Sequence, residues 1–238
     1  MVCIGLLLCD QVDEPLRRLA GGDYDDIYSR FIQAADPTLE IRSYRAFAGE
    51  FPQSTDECDG WVITGSRFSV YDEEPWIADL LKFIRMLNEA RARTVGVCFG
   101  HQAIAEALGG QVGPAGTWKV GVQTMEMESQ PWFEGATVRL HAMHRDVVFS
   151  LPPGAVAIAK GSTAQIPAFR VGDHILSIQD HPEYDANYER LLIERRVHLI
   201  GTEESEAALG TLGGVTDGGQ VGRWITTFLR GTKPEEAL

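Results

Sequence analysis

The first half of the chain alternates between strand-like runs and longer segments with apolar residues at helical spacing. The apolar or alternating runs, which are typical of strands, are residues 1–10, 39–47, 60–64 and 94–97. Residues 15–35 and 75–92 place apolar side chains at every third or fourth position, which predicts amphipathic helices. Strands and helices that alternate in this order predict a parallel sheet with helices on both faces.

The second half of the chain consists mainly of shorter alternating runs. Strands are predicted at residues 120–127, 137–141, 156–160, 168–171 and 174–179. Because tight turns join many of these runs, we expect this half of the sheet to be partly antiparallel. Helical patterns return at residues 186–200 and 223–230.

Two polar features of the second half are predicted to be surface structure. The charged side chains of segment 186–200 are typical of a solvated helix face; they are Glu189, Arg190, Glu194 and Arg195. Residues 210–222 contain six glycines and are predicted to form a mobile loop, and residues 234–238 a frayed tail.

Length and composition are those of an ordinary globular protein. The chain has 238 residues, of which 44% are hydrophobic and 23% charged. No internal repeat, low-complexity tract or linker divides it. We therefore expect one α/β domain over residues 1–238, an open sheet with parallel central strands and an antiparallel extension.

The net charge and the cysteines limit which binding partners and which cellular compartment we expect. The formal net charge of −13 argues against nucleic acid or an acidic membrane surface as a partner, because both would repel the chain. The apolar residues 1–10 are too few to span a bilayer. The four cysteines show no metal-binding spacing, so no metal is expected, and we expect a cytoplasmic protein with reduced thiols.

The strongest chemical signal is a cysteine between a strand and a helix. Cys98 follows the strand-like residues 94–97, precedes a helical pattern, and is flanked by Gly96 and Gly100. This G-x-C-x-G frame matches the G-x-S-x-G nucleophile elbow, a sharp turn that presents a side chain above the sheet edge. A helix N-terminus also favours the thiolate form. We therefore favour a nucleophile at Cys98 over a buried core cysteine.

A base and an orienting carboxylate are found together further along the chain. His181 follows the predicted strand 174–179, so it should emerge at the same sheet edge as Cys98. Pro182 restricts the chain directly after the histidine, which helps to place the Glu183 carboxylate against the imidazole. The pattern predicts a Cys–His–Glu triad in which Glu183 fixes the tautomer and orientation of His181.

An acyl transfer also needs hydrogen-bond donors for the oxyanion. The backbone N–H of Phe99, the residue after the predicted nucleophile, is one natural donor. A second is expected from a neighbouring loop, and Gly65 suits it because glycine allows close backbone approach. Taken alone, Gly65 would also fit a simple strand-ending turn.

Together these residues resemble the class I, or triad-type, glutamine amidotransferases. The resemblance covers about residues 60–184 in four segments: Val-Ile-Thr-Gly-Ser at 62–66, Gly-Val-Cys-Phe-Gly-His-Gln at 96–102, His-Arg-Asp-Val-Val at 144–148 and Gln-Asp-His-Pro-Glu at 179–183. It implies a flavodoxin-like open sheet, no cofactor, and hydrolysis of the glutamine side-chain amide through a γ-glutamyl thioester.

The same resemblance assigns individual roles. It implies that Cys98 is the nucleophile, His181 the acid and base, and Glu183 its partner. Gly65 and Phe99 would form the oxyanion hole. The glutamine pocket would be lined by Gln102, His144 and Asp146.

Two positions depart from the family pattern. Met143 stands where the family often has serine, which leaves open how the α-amino and α-carboxylate groups of the substrate are held. Asp180 stands where the family often has phenylalanine or glycine. Its carboxylate would raise the pKa of His181 if it pointed towards that ring.

Three functions remain open at this point. One is an amidotransferase subunit that passes ammonia to a synthetase partner, since the chain carries no ATP-binding signature such as G-x-x-x-x-G-K-[ST]. Another is an independent γ-glutamyl hydrolase, because the segments around Cys98 and His181 also resemble γ-glutamyl peptidases of the same superfamily. The third, a non-catalytic binding or stress protein on this scaffold, is disfavoured by Cys98, His181 and Glu183 being present together.

Overall fold

The computed structural model describes residues 2–162 and 164–231, so the predicted tail at residues 234–238 lies outside the described residues. The strands are β1 (Cys3–Leu7), β2 (Glu40–Tyr44), β3 (Gly60–Ile63), β4 (Arg93–Val97), β5 (Gln111–Met127), β6 (Ala136–Ser150), β7 (Ala155–Ala157), β8 (Ala159–Gly161), β9 (Ala168–Val171) and β10 (Ile175–Ile178). The helices are α1 (Glu14–Ala20), α2 (Tyr24–Ala35), α3 (Pro75–Glu89), α4 (Phe99–Ala107), α5 (Ala186–Ile200), α6 (Thr202–Thr211) and α7 (Gly218–Arg230), with a 3₁₀ turn at Ala46–Ala48.

Seven strands form the main sheet in the order β2-β1-β3-β4-β10-β9-β7. The first five are mutually parallel, and β9 and β7 continue the sheet in antiparallel pairings. This is the flavodoxin-like order, with parallel strands at the centre and an antiparallel extension, as the sequence predicted. The carboxyl ends of β3, β4 and β10 lie side by side, so the segments that follow these strands meet at one edge.

The long hairpin of β5 and β6 belongs to a second, three-stranded sheet with the order β6-β5-β8. The sequence predicted these strands as part of one continuous sheet. Their register shifts between Pro114 and Lys119, so residues 115–118 are not paired with β6. This irregular stretch carries Trp118, whose position matters for the cavity described below.

Alternation along each central strand builds one core on each face of the main sheet. In β3, Val62 packs with the core that contains residues of α2, α5 and α7. Its neighbours Trp61 and Ile63 point to the opposite face and pack with α3 and α4. The two-residue period of a strand therefore explains why helices cover both faces.

Three expectations are corrected by the structure. The helical segment 15–35 is two helices, because Gly21 and Gly22 have φ of 76° and 136° and break the helix there. The loop predicted at residues 210–222 is shorter, residues 212–217, because α6 runs to Thr211 and α7 begins at Gly218. Glu189, predicted to lie on a solvated face, is 0% exposed.

Burial of Glu189 has an electrostatic consequence. Its Oε1 accepts a hydrogen bond from the N–H of Gly121 at 3.0 Å, whereas its Oε2 has no partner among the described residues. Burial raises the pKa of Glu189 from 4.5 to about 8, partly opposed by the Gly121 N–H. The side chain is therefore protonated in the folded protein at neutral pH.

We expect Glu189→Gln to flatten the dependence of stability on pH. The folded pKa of Glu189 exceeds the unfolded one, so its contribution is fully present below about pH 4.5 and is lost as the pH rises through about 8. Glutamine keeps the acceptor for Gly121 without the charge, so the variant should gain on the order of a few kcal/mol over the unmodified protein at pH 9.

Urea unfolding at pH 5, 7 and 9 checks this expectation. Glu194→Gln is the matched control, because Glu194 lies on the same helix and is exposed. Equal pH slopes for the two variants would show that Glu189 is ionised in the folded protein across this range.

Candidate active site

Cys98 occupies a strained turn between β4 and α4. Its backbone has φ of 53° and ψ of −103°, an uncommon conformation for a non-glycine residue that costs about 1–3 kcal/mol. The Cys98 N–H donates to the carbonyl of Ile178 at 2.9 Å, which ties the turn to the end of β10. The side chain sits at the N-terminus of α4.

Glycine is required on both sides of the turn by close backbone approach. A β-carbon at position 96 would lie 2.6 Å from the carbonyl oxygen of Gly100. One at position 100 would overlap the carbonyl of Ile63 in β3. The frame around Cys98 therefore lets α4 begin directly against two strands of the sheet, as in a nucleophile elbow.

Gly100→Ala is expected to destabilise the protein by about 3 kcal/mol or more, because the added methyl group forces α4 away from β3. Activity should fall with stability, since Cys98 lies two residues away. Thermal or urea unfolding measures the loss. The control is Gly210→Ala in α6, where a β-carbon meets nothing within 4 Å and should stabilise the helix by up to about 1 kcal/mol. Similar unfolding midpoints for the two variants would contradict the steric argument.

His181 and Glu183 form a buried hydrogen-bonded pair. The distance from His181 Nδ1 to Glu183 Oε1 is 2.7 Å, and the two residues are only 2% and 9% exposed. The His181 N–H donates to the carbonyl of His141 at 2.7 Å, and the ring of Tyr184 stacks on the imidazole at 3.9 Å with an interplanar angle of 8°. Glu183 and Tyr184 therefore hold the ring, and the backbone bond to His141 anchors the main chain of His181.

The side chain of Cys98 lies beside the same imidazole, since a single β-carbon built at position 65 would be 2.9 Å from His181 Cε1 and 3.7 Å from Cys98 Cβ. Because Nδ1 is engaged by Glu183, Nε2 is the nitrogen left for the sulfur. Burial opposes protonation of the ring, but the facing Cys98 and Glu183 outweigh it, so the pKa of His181 is raised well above its ordinary value. The arrangement therefore favours a protonated imidazole between the Cys98 side chain and the Glu183 carboxyl group.

Gly65 lies beside both groups, but its N–H is engaged elsewhere. A β-carbon built on it would be 2.9 Å from His181 Cε1 and 3.7 Å from Cys98 Cβ. Its N–H donates to the hydroxyl of Tyr28 at 3.1 Å. Phe99, the other expected oxyanion donor, is the first residue of α4, so its N–H is one of the donors that a helix leaves without an internal partner.

Tyr28 was not identified from the sequence. It is 1% exposed, and burial followed by the Glu183 carboxylate raises the pKa of Tyr28 well above its usual range. Its hydroxyl therefore stays protonated and adjoins the anionic end of the buried pair while it holds the Gly65 loop. The only signal for Tyr28 in the sequence is its apolar position in segment 15–35, which equally fits a core tyrosine.

The three predicted substrate-binding residues are brought together by one backbone carbonyl. Gln102 Nε2 donates to the carbonyl of Asp146 at 2.9 Å, and His144 Nδ1 lies 3.1 Å from the same oxygen. The Asp146 carboxylate accepts from the hydroxyls of Ser69 and Tyr71. These residues form a connected polar wall next to the elbow.

Asp180 does not act on His181 in the way its position suggested. Its carboxylate faces His144, with Oδ1 3.4 Å from Nε2, and both residues are almost completely buried. The carboxylate oxygens have no hydrogen-bond partner among the described residues. The charge of Asp180 therefore bears on the polar wall rather than on the imidazole beside Cys98.

A cavity of about 410 Å³ opens above the thiol. Cys98, Gln102, His144 and Asp146 line it together with residues that the sequence did not identify as part of a site: Leu16, Trp118, Leu192, Arg195, Arg196 and Leu199. Within residues 2–162 and 164–231, no cluster of three or more His, Cys, Asp or Glu side chains could hold a metal ion. None of the helices in that part of the chain is long and apolar enough to cross a membrane.

The sequence is similar to one known protein family and to several characterised relatives. The sequence profile described as "Glutamine amidotransferase class-I" matches residues 30–198. Gamma-glutamyl peptidase 2 of Arabidopsis thaliana is 32% identical over 203 residues, covering 81% of this chain and 80% of that protein. GMP synthase [glutamine-hydrolyzing] of Bacteroides fragilis is 29% identical over 170 residues, covering 68% of this chain but 31% of that protein.

Solved structures support the fold. A glutamine amidotransferase from Thermotoga maritima superimposes with a TM-score of 0.68 at 18% identity, and the match covers 96% of each chain. The profile match spans most of the sequence and includes the elbow and the His-Pro-Glu segment. The chain belongs to the class I glutamine amidotransferase family.

Proposed function

We propose that this protein hydrolyses γ-glutamyl amide bonds through a γ-glutamyl thioester on Cys98, with His181 as acid and base and Glu183 as its orienting partner. The observation that supports this most directly is the geometry at His181. One ring nitrogen is held by Glu183 at 2.7 Å, and the ring adjoins a cysteine on a strained elbow. The order strand, nucleophile, helix is that of enzymes that form acyl intermediates.

The first half-reaction forms the thioester. The Cys98 thiolate attacks the carbonyl carbon of the γ-amide, and negative charge moves to the carbonyl oxygen. Imidazolium His181 then gives its proton to the amine nitrogen as the C–N bond breaks, and ammonia or an amine leaves. Glu183 stabilises the imidazolium throughout and keeps the donor nitrogen aimed at the reaction centre.

The second half-reaction regenerates the enzyme. Neutral His181 takes a proton from a water molecule, and the resulting hydroxide attacks the thioester carbonyl carbon. The C–S bond breaks, glutamate leaves, and the thiolate–imidazolium pair returns. In both halves the Phe99 N–H is available to the oxyanion, whereas Gly65 can contribute only after its N–H leaves the Tyr28 hydroxyl.

Two uses of this chemistry are favoured by different observations. Peptide hydrolysis is favoured by the similarity to γ-glutamyl peptidases over most of both chains and by a cavity that matches drug-sized ligands rather than one amino acid. Ammonia transfer to a synthetase partner is favoured by the similarity to a GMP synthase, of which this chain matches 31%. We propose hydrolysis of small γ-glutamyl compounds as the primary activity.

Labelling and a substrate panel test the proposal. The electrophile 6-diazo-5-oxo-norleucine should add one glutamine-derived mass at Cys98, as located by peptide mapping, and γ-glutamyl dipeptides should be hydrolysed faster than glutamine without any added protein. Labelling at another cysteine, or none, would count against the nucleophile. Turnover of glutamine alone would select the amidotransferase role.

A further inference from the structure

Two arginines that line the cavity above Cys98, Arg145 and Arg196, have no counter-charge among the described residues. Arg145 is exposed and lies beside the polar wall, where its Nη2 donates to the Ser69 hydroxyl at 3.4 Å. Arg196, on α5, is half-buried and lines the cavity, yet no carboxylate among the described residues lies within ion-pair distance of it. The other two arginines that line the cavity have carboxylate partners. Arg67 is paired with Asp10 at 3.0 Å, and Arg195 lies 3.7 Å from Asp13.

The buried Glu189 does not form an ion pair with Arg196. Glu189 lies two turns earlier on α5 and interacts with Arg196 through space. Burial raises the pKa of Glu189 to about 8, so its carboxyl group is mostly protonated at neutral pH. Arg196 therefore lines the partly enclosed cavity as a charged donor that an anionic group of a ligand can bind.

The cavity wall around Arg196 differs from the polar wall at Gln102 and Asp146. Leu16 of α1 contributes to it, as do Leu192 and Leu199 of α5 and the partly exposed Trp118. Trp118 lies in the stretch of β5 that leaves the ladder before Lys119, which frees its indole to reach the cavity. A guanidinium beside an indole and leucines suits a ligand with a carboxylate and an apolar portion.

The two walls of the cavity are suited to different parts of the substrate. The polar wall is a fixed network centred on the Asp146 carbonyl and suits the amino-acid portion of a γ-glutamyl group. The wall of α1 and α5 contributes no group to the chemistry at Cys98 but extends the same cavity. It is therefore the available place for whatever is attached to the γ-amide nitrogen.

We infer that Arg196 and Trp118 form a leaving-group subsite that binds a carboxylate on the amine side of the scissile γ-glutamyl bond. This inference rests on the proposed function and makes it more specific: the preferred substrates are γ-glutamyl conjugates of acidic amines, such as peptides with a free carboxyl terminus. Arg196 is a specificity-determining residue and takes no part in the proton transfers at Cys98.

A matched pair of chromogenic substrates isolates the leaving-group charge. γ-Glutamyl-4-nitroanilide and γ-glutamyl-3-carboxy-4-nitroanilide share the glutamyl portion and differ by one carboxylate on the leaving amine. At pH 7 and low salt, the protein should prefer the carboxylated substrate by about tenfold or more in kcat/KM, the discrimination typical of one charged hydrogen bond. The preference should decrease as ionic strength rises.

Arg196→Gln should reduce the preference to within about threefold, through a higher KM for the carboxylated substrate and little change for the other. Arg196→Lys keeps the charge and should restore part of the preference, which separates charge loss from misfolding. Arg190→Gln is the matched control on the same helix, because Arg190 is exposed and does not line the cavity; it should behave like the unmodified protein.

The possible results separate failure of the Arg196 subsite from failure of the proposed function. An unchanged preference in Arg196→Gln overturns the subsite, and so does an equal loss on both substrates, which would place Arg196 against the shared glutamyl portion. If the unmodified protein hydrolyses neither substrate and 6-diazo-5-oxo-norleucine leaves Cys98 unlabelled, the proposed function itself fails, and the subsite with it.

Discussion

Cys98→Ala is expected to reduce γ-glutamyl hydrolysis by at least about 10⁴-fold, because no other cysteine lines the cavity among the residues that the structure describes. Residual turnover would come only from binding and from the oxyanion donors, which persist in the variant. The fold should be retained, since alanine meets the same backbone strain at φ of 53° that cysteine already tolerates. Single-turnover and steady-state assays with a γ-glutamyl anilide measure the loss.

The matched control for this variant is Cys3→Ala. Cys3 is partly exposed at the start of β1, and its Sγ lies 3.1 Å from Cys58 Sγ, away from the elbow. It should keep full activity and full labelling at Cys98. Retention of more than a tenth of the activity in Cys98→Ala would require a different nucleophile.

Glu183→Gln is expected to lower kcat by about 10²- to 10⁴-fold with a small change in KM. Glutamine has nearly the same shape, but it removes the charge that stabilises the imidazolium and permits the wrong tautomer of His181. The Glu183 carboxylate is one of the two groups that raise the pKa of His181. The variant should therefore lose the protonated imidazole at a lower pH than the unmodified protein does.

The pH dependence of kcat and of the reaction of Cys98 with iodoacetamide checks this expectation. In Glu183→Gln, the pH above which the histidine loses its proton should move down. Glu194→Gln makes the same chemical change at an exposed position of α5 and should alter neither profile. Unchanged kinetics in Glu183→Gln would assign the carboxylate a purely structural role.

The main features of the site could be predicted because they are local or follow from parallel topology. A strand, a glycine-flanked turn and a helix start are contiguous in sequence, so the elbow at Cys98 could be identified directly. His181 and Glu183 follow the next strand of the sheet, β10, which pairs in parallel with β4. Parallel pairing brings the ends of both strands to one edge, and sequence order is enough to predict that.

The remaining features depend on contacts between distant segments. Tyr28 meets Gly65 only after α2 packs on the sheet, and an apolar helical position does not reveal a hydroxyl partner 37 residues away. The sequence places Glu189 on a solvated helix face because charged side chains usually lie at the surface. In the structure, packing of α5 against β5 buries this side chain. The six glycines of residues 210–222 suggested a loop, but packing of α7 against α2 and β4 allows helix formation despite low propensity.

If Gly65 is the second oxyanion donor, its hydrogen bond to Tyr28 must break before a tetrahedral intermediate is stabilised. A backbone N–H makes one strong hydrogen bond at a time, so Gly65 cannot support a tetrahedral intermediate while it donates to the phenol. Because Tyr28 belongs to α2, the position of this helix would then control the donor: movement of the Gly65 loop away from α2 on substrate binding would free the N–H.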